Sequence, residues 1–253
     1  PSHFILRQSG YLVAAMFAMI VCSTLSPKYI WRLATFVGGV AIFGVILTLF
    51  VGDEIKGATR WLPVFGVSVQ PSEFVKPCVT VVLGWLLARQ KTTESFPGFW
   101  IALALAASVA ALLISQPDFG MTFVFCATFG ALIVLAGYPL RYIVLLAIGG
   151  VLLLVLAYFT IDHVQSRVDR FLDPASGDTY QVDRSLEAFA NGRLFGTGPG
   201  GGQVKLQLPD AHADFIFSVA AEEMGLVFSL CLIGLYSFIV LRGFMRLRAT
   251  NSI

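Results

Sequence analysis

IWRLATFVGGVAIFGVILTLFVG, residues 30–52, carries one charged side chain, Arg32, and is otherwise almost wholly apolar. About 20 apolar residues in a helix cross the roughly 30 Å hydrocarbon layer of a bilayer. The stretch has no strand-type alternation, so it predicts a helix and not a strand of a membrane barrel. Comparable runs lie at 10–27, 72–89, 98–116, 118–137, 139–161 and 214–241, which makes seven. Together they predict an all-α polytopic membrane protein. Six spans form a bundle over 1–161, a large loop covers 162–213, and a last span and its end occupy 214–253. SQPDFG, residues 115–120, leaves room only for a tight turn between the fourth and fifth runs.

Composition points the same way. Of 253 residues, 57% are hydrophobic and 13% charged, and mean hydropathy is +0.81. An ordinary soluble domain has about 25% charged residues, so these charges are too few to cover a soluble surface. The net charge of +2, with no basic cluster interleaved with aromatics, excludes a nucleic-acid partner. Cys22, Cys78, Cys126 and Cys231 all lie in apolar runs without a C-x-x-C pair, against a disulfide framework or a cysteine metal site. No fixed-period repeat, low-complexity tract or cleavable leader pattern is present. A start at Pro1 fits either a removed initiator Met or a fragment.

Loop charges predict an orientation. Lys28, Arg32, Arg89, Lys91, Arg141, Arg242, Arg246 and Arg248 fall in one set of loops, with Glu94 as their acid. The opposite set mixes signs: Asp53, Glu54, Lys56 and Arg60, then many Asp and Arg residues in 162–213. The positive-inside rule puts the first set in the cytoplasm, and Trp31 and Trp100 at helix starts resemble interfacial anchors. Every unusual polar segment then faces outward, where there is no ATP. Chemistry there must use an activated substrate, or the protein transports. Phe171, Leu172, Tyr180, Leu186, Phe189, Leu194 and Phe195 predict that the loop 162–213 folds onto the bundle.

Ionisable groups inside spans are expensive and mark function by default. Glu73 and Lys76 share a face at i,i+3 and can pair, and Pro77 should kink that helix. An ion pair seating the helix end is the plain alternative to a polar cavity wall. Asp118 at a helix start has capping as its plain alternative. Asp214, Glu222 and Glu223 occupy the outer part of the last span, with Glu222 at i+8 from Asp214 and so near the same face. Capping could account for Asp214, and buried hydrogen bonding for Glu222 and Glu223. His212 and Asp214 form a possible two-ligand pair, but with only His3 and His163 besides, no metal site is expected.

GTGPGG, residues 196–201, matches G-x-G-x-x-G without the strand–turn–helix context of a dinucleotide site. It is either a flexible turn or backbone that approaches a ligand closely, with Arg193 and Lys205 flanking as phosphate contacts. No Ser–His–Asp or Cys–His grouping suggests a covalent nucleophile.

GATRWLPVFGVSVQPSEFVKP (57–77), SQPDFGMT (115–122) and SLEAFANGRLFGTGPGGGQVKLQLPDAHADFIFSVAAEEMG (185–225) strongly resemble the SEDS family (shape, elongation, division and sporulation), which comprises FtsW, RodA and SpoVE. The resemblance covers essentially the whole chain, and the Lys205-x-x-x-Pro-Asp-Ala-His pattern is more similar to FtsW than to RodA. Members have ten spans, and the resemblance implies that this chain holds the second to the eighth. Ala213 and Met121 depart from the family's usual Thr, and Thr or Ser, without removing an ionisable group.

What the resemblance implies is a peptidoglycan glycosyltransferase that polymerises lipid II in cell division, at the periplasmic face of the bacterial inner membrane. Asp214 falls on the family's catalytic Asp and would be general base for the acceptor 4-hydroxyl, with undecaprenyl pyrophosphate leaving. Arg60 and Lys76, then Lys205 and Arg193, would face the pyrophosphate. Gln70 and Glu73 would position them, and Asp118 and His212 complete the expected substrate-binding set. No cofactor is expected beyond a possible divalent cation such as magnesium. The implied partners are a class B penicillin-binding protein transpeptidase and other division proteins. Rival readings are a lipid II flippase and a scaffold for the transpeptidase. The intramembrane charges cluster at outer ends and no broken helix pair is expected, which favours the enzyme.

Overall fold

The computed structural model describes residues 2–51, 53–55, 58–64, 67–93, 95–116, 118–160, 164–165, 169, 180–208, 211 and 214–249. Its helices, in chain order, are α1 (Ser2–Thr24), α2 (Pro27–Val51), α3 (Pro71–Thr92), α4 (Gly98–Ser115), α5 (Phe119–Leu135), α6 (Leu140–Thr160), α7 (Tyr180–Gly192) and α8 (Ile216–Ala249). Each expected apolar run is helical. Among the described residues, five helices are long and apolar enough to cross a membrane: α2, α3, α4, Arg141–Thr160 of α6 and Ile216–Arg246 of α8. The apolar parts of α1 (Gln8–Thr24) and α5 (Gly120–Leu135) are shorter. The chain is an all-α integral membrane protein. Two compact units divide it, Pro1–Leu152 and Leu153–Ile253.

In the first unit, α2 buries Ala34, Gly38, Ala41, Val45 and Thr48, a single stripe in steps of four and three. These residues are mostly small, so α3 packs closely against the stripe, as at many membrane helix interfaces. The core continues through Val75, Val79, Leu83 and Leu87 of α3, Ala102, Val109 and Leu113 of α4, and Phe125, Phe129 and Ile133 of α5. On the other faces of α2, Phe36, Phe43 and Phe50 are exposed, as side chains meeting lipid would be.

The segment expected as a polar loop, 52–70, carries a three-stranded antiparallel sheet: β1 (Asp53–Ile55), β2 (Ala58–Val64) and β3 (Val67–Val69). The first half of β2 pairs with β1, Ile55 opposite Ala58, and its second half with β3, Leu62 opposite Val69. Pro63 lies in the second half, where β3 supplies its partner, Ser68, and β1 has ended. The sheet caps the end of the unit where α2 ends, α3 starts, α4 ends and α5 starts. The other end gathers Lys28, Arg32, Arg89, Lys91 and Arg141. There Trp31 stacks on Trp85 at 4.5 Å and Arg89 lies over Trp85 at 5.7 Å. Trp100 is exposed and meets the edge of Phe99.

In the second unit, α7 lies inside the expected loop 162–213 and packs on α8. Ser185 Oγ is 2.7 Å from Ser218 Oγ, and the Phe189 and Phe217 rings are 5.6 Å apart. The residues expected to do the burying are corrected here. Tyr180, Leu186, Phe189, Leu194 and Phe195 are all exposed, whereas Ala188, Val204 and Leu208 are buried. α7 turns its small residues Ala188 and Gly192 to α8, where a Cβ on Gly192 would overlap the Ala221 carbonyl, so most of the large side chains of α7 lie outside that contact. Phe171 and Leu172 lie outside the described residues. A second correction concerns the last span. It is not continuous, because α8 breaks at Gly225, with φ 81° and ψ −179°.

Candidate functional site

The break in α8 releases backbone groups that a straight helix would pair internally. Four of them find partners in residues 193–198. The Glu222 and Glu223 carbonyls accept from Thr197 N–H at 2.9 Å and Gly198 N–H at 3.0 Å. Beyond the break, Leu226 and Val227 N–H donate to the Arg193 and Leu194 carbonyls at 2.9 and 3.2 Å. The loop is thus hydrogen-bonded into the gap, as buried backbone requires. Glycine makes the fit possible. A Cβ on Gly196 would overlap the Glu223 carbonyl, and one on Gly225 would overlap Gly196 N and the Leu194 carbonyl. Of the two readings of GTGPGG, close backbone approach holds for Gly196, and what it approaches is the chain's own helix.

The two glutamates of α8 are held by the next stretch of the same loop. Glu222 is 1% exposed. Its Oε1 accepts from Gln203 N–H at 2.9 Å and Val204 N–H at 3.0 Å, and its Oε2 from Lys205 N–H at 3.3 Å. Three successive backbone donors therefore offset the charge of a buried carboxylate. Glu223 pairs with Lys205 Nζ. For both glutamates the hydrogen-bonding alternative is the one observed. Lys205, expected as a phosphate contact, has its charge engaged by Glu223.

Asp214 is exposed, in the turn before Ile216, and so precedes the helix in which it was expected. Its carboxylate is next to the positive end of a helix. His212 lies outside the described residues. Arg193 follows the last residue of α7, exposed and in the left-handed region with φ 47°. Among the described residues no three of His, Cys, Asp and Glu gather as a metal site would need.

The remaining expected site residues belong to the first unit and meet at its sheet-capped end. Arg60 Nε donates to the Gln116 carbonyl at 3.0 Å, and its guanidinium is 3.7 Å from Asp118 Oδ2. Asp118 is buried and also caps α5, accepting from Met121 N–H at 3.4 Å. Lys76 Nζ lies 2.8 Å from Glu73 Oε2 and 3.2 Å from Met121 Sδ. The Glu73–Lys76 pair therefore forms, and the unusual Met121 is its neighbour. Gln70 Nε2 donates to Ser72 Oγ at 3.1 Å and is not bonded to either cation. Two members of this polar end were not singled out as site residues. Thr48 and Gln116 are fully buried and joined at 2.5 Å from Gln116 Nε2 to Thr48 Oγ1. The signal was available: a Gln within a short polar turn between apolar helices.

Residues 1–253 match the FtsW/RodA/SpoVE family, described as cell cycle proteins. Among curated relatives, the probable peptidoglycan glycosyltransferase FtsW of Caulobacter vibrioides is 45% identical over 98% of this chain. That of Legionella pneumophila is 39% identical over 96%. The chain spans 64% of the length of each. Among solved structures, a peptidoglycan synthase complex, described in terms of coordinated polymerisation and crosslinking, aligns with TM-score 0.67 and 27% identity. It covers 94% of this chain and 68% of that one. The rod shape determining protein RodA of Thermus thermophilus shares the fold, with TM-score 0.58, 24% identity, and 94% and 63% coverage. By its match along the whole chain, and by the helices and loop that carry the motifs quoted above, this chain belongs to the FtsW/RodA/SpoVE family.

Proposed function

We propose that the protein containing this chain is a peptidoglycan glycosyltransferase that polymerises lipid II in cell division. It works as a multi-pass protein of the bacterial inner membrane, with its site facing the periplasm. The observation that carries this reading is Asp214: an exposed carboxylate at the head of a half-helix whose far end is locked to the glycine loop. The names of the FtsW relatives support the activity.

In this mechanism Asp214 takes the proton of the acceptor's 4-hydroxyl. The oxygen attacks the donor's anomeric carbon, and the bond to undecaprenyl pyrophosphate breaks with its electrons. The leaving group supplies the driving force, so no ATP is required. A carboxylate is a weak base toward an alcohol, so proton transfer must accompany late attack, with the pyrophosphate bond already opening. General-base help is worth roughly 10²–10⁴-fold. Cations offset the charge growing on the pyrophosphate. Arg60 and Lys76 are assigned this role, with Glu73 holding Lys76, and Gln70, Asp118 and His212 complete the substrate contacts. Arg193 is a further contact, and Lys205 serves if substrate displaces Glu223. A divalent cation would supply the same stabilisation. A class B penicillin-binding protein is the proposed partner, because the solved relative is a synthase complex.

The break at Gly225 favours a second reading, a lipid II flippase, since transporters line their paths with interrupted helices. Against it, four of the backbone groups at the break bond the chain's own loop. Polymerisation of purified lipid II by the full-length protein in detergent separates the two. Glycan strands form without a second leaflet if the protein is the enzyme, and their absence alongside lipid II transfer in vesicles would favour the flippase.

A further inference from the structure

The end of the first unit opposite the sheet carries charge that the polymerase mechanism does not use. Two arginines there are set against aromatic rings. Arg32 lies over Trp31 at 5.6 Å, and Arg89 lies over Trp85 at 5.7 Å and Phe96 at 6.0 Å. The two indoles stack on each other at 4.5 Å, which ties the start of α2 to the end of α3. Both arginines are exposed, and the three rings are half-buried. Ring contact uses the face of a guanidinium and leaves its in-plane N–H donors available. Among the described residues no carboxylate pairs with Arg32 or Arg89.

Membrane orientation alone asks only for positive charge, which lysine supplies as well. It does not ask for guanidinium groups held in fixed poses. Lys28 adds a further cation in the first turn of α2, where no acid is present. The positive end of a helix disfavours cations, so this cluster calls for an anion from outside the chain. The neighbouring surface says which kind. Along α2 from Arg32, in steps of about one turn, Phe36, Val40 and Phe43 are all exposed. Along α3, Val81 is exposed one turn beyond Trp85. Each arginine thus heads a column of apolar surface. A free phosphate or an acidic peptide would use the arginines and leave the columns bare, whereas a phospholipid uses both.

We propose that this end of the bundle binds anionic phospholipid of the adjoining leaflet, one phosphate on each of Arg32 and Arg89, with acyl chains along the columns below. The indole stack closes the inner face of each ring, so the two guanidinium groups lie on outer faces and each takes its own phosphate. Arginine offers a phosphate two parallel donors, and basic groups between helix ends suit anionic headgroups. The proposal goes beyond the polymerase reading and holds whichever side of the membrane this end faces.

The test uses the full-length protein in vesicles of phosphatidylcholine and phosphatidylglycerol at equal mole fractions. One lipid at a time carries brominated acyl chains, which quench tryptophans they touch. Brominated phosphatidylglycerol should quench more than brominated phosphatidylcholine, with each arginine contributing roughly fivefold to the preference. Arg32→Gln and Arg89→Gln together should abolish the preference without lowering the melting temperature in neutral detergent. Arg32→Lys and Arg89→Lys together keep the charge, so that protein folds even if the glutamine pair does not, and it should retain only part of the preference. Inorganic phosphate and polyglutamate should not relieve the quenching. Equal quenching by the two lipids in the wild type, or a preference kept by the folded glutamine pair, would overturn the site. Full preference in the lysine pair would overturn the role of the ring-held guanidinium groups. Relief by phosphate or polyglutamate would overturn the lipid assignment. Quenching is read without turnover, so these outcomes are separate from whether the protein polymerises lipid II.

Discussion

Glu222 and Asp214 are eight positions apart and have opposite surroundings. Asp214 is exposed, and Glu222 is buried under three backbone donors. Glu222→Gln turns one acceptor into an amide donor facing N–H groups. It should cost roughly 1–3 kcal/mol, read as a fall in the melting temperature of the full-length protein. An unchanged melting temperature would refute the three-donor arrangement. Arg60→Ala and Lys76→Ala should each raise the KM for lipid II while the protein stays folded. A protein that instead unfolds would mark Arg60–Asp118 and Lys76–Glu73 as seats for helix ends. The acids of α8 were legible in the sequence as costly charges within a span. The partners of Glu222 were not, because backbone donors at 203–205 leave no residue-type signature, and Lys205, singled out as a phosphate contact, is instead the partner of Glu223.

The elements follow the same division. Long apolar runs disclosed every helix of the first unit, since twenty lipid-facing residues need an unbroken apolar stretch. The break in α8 was hidden. A lone glycine in a helical run is a weak signal, and the loop that fills the gap lies some thirty residues upstream in sequence. α7 lay inside the segment expected as loop, because Asp183, Arg184 and Glu187 break up its apolar pattern. The strands of 53–69 were likewise obscured by their charges. Gly225→Ala places a Cβ into Gly196 and Leu194 at a φ that suits glycine. It should destabilise by about 2 kcal/mol or more and release the loop. Limited proteolysis should then cut between 193 and 208 faster than in the wild type, and equal cutting rates would argue against the loop's dependence on the break.

At the scale of the molecule, the first unit segregates its charges: Lys28, Arg32, Arg89, Lys91 and Arg141 at one end, Arg60, Glu73, Lys76 and Asp118 at the other. That segregation supports a periplasmic site through the positive-inside rule. A cysteine at position 176 (Ser176→Cys) should be labelled by a membrane-impermeant maleimide on intact spheroplasts. Labelling only after lysis would reverse the orientation and remove the case for an external site. The most direct measurement is glycan-strand synthesis from purified lipid II by the full-length protein and its Asp214→Asn variant, at matched expression and melting temperature. The wild type should make strands, and the variant should fall to background. Near wild-type strand yield from Asp214→Asn would contradict Asp214 as the general base.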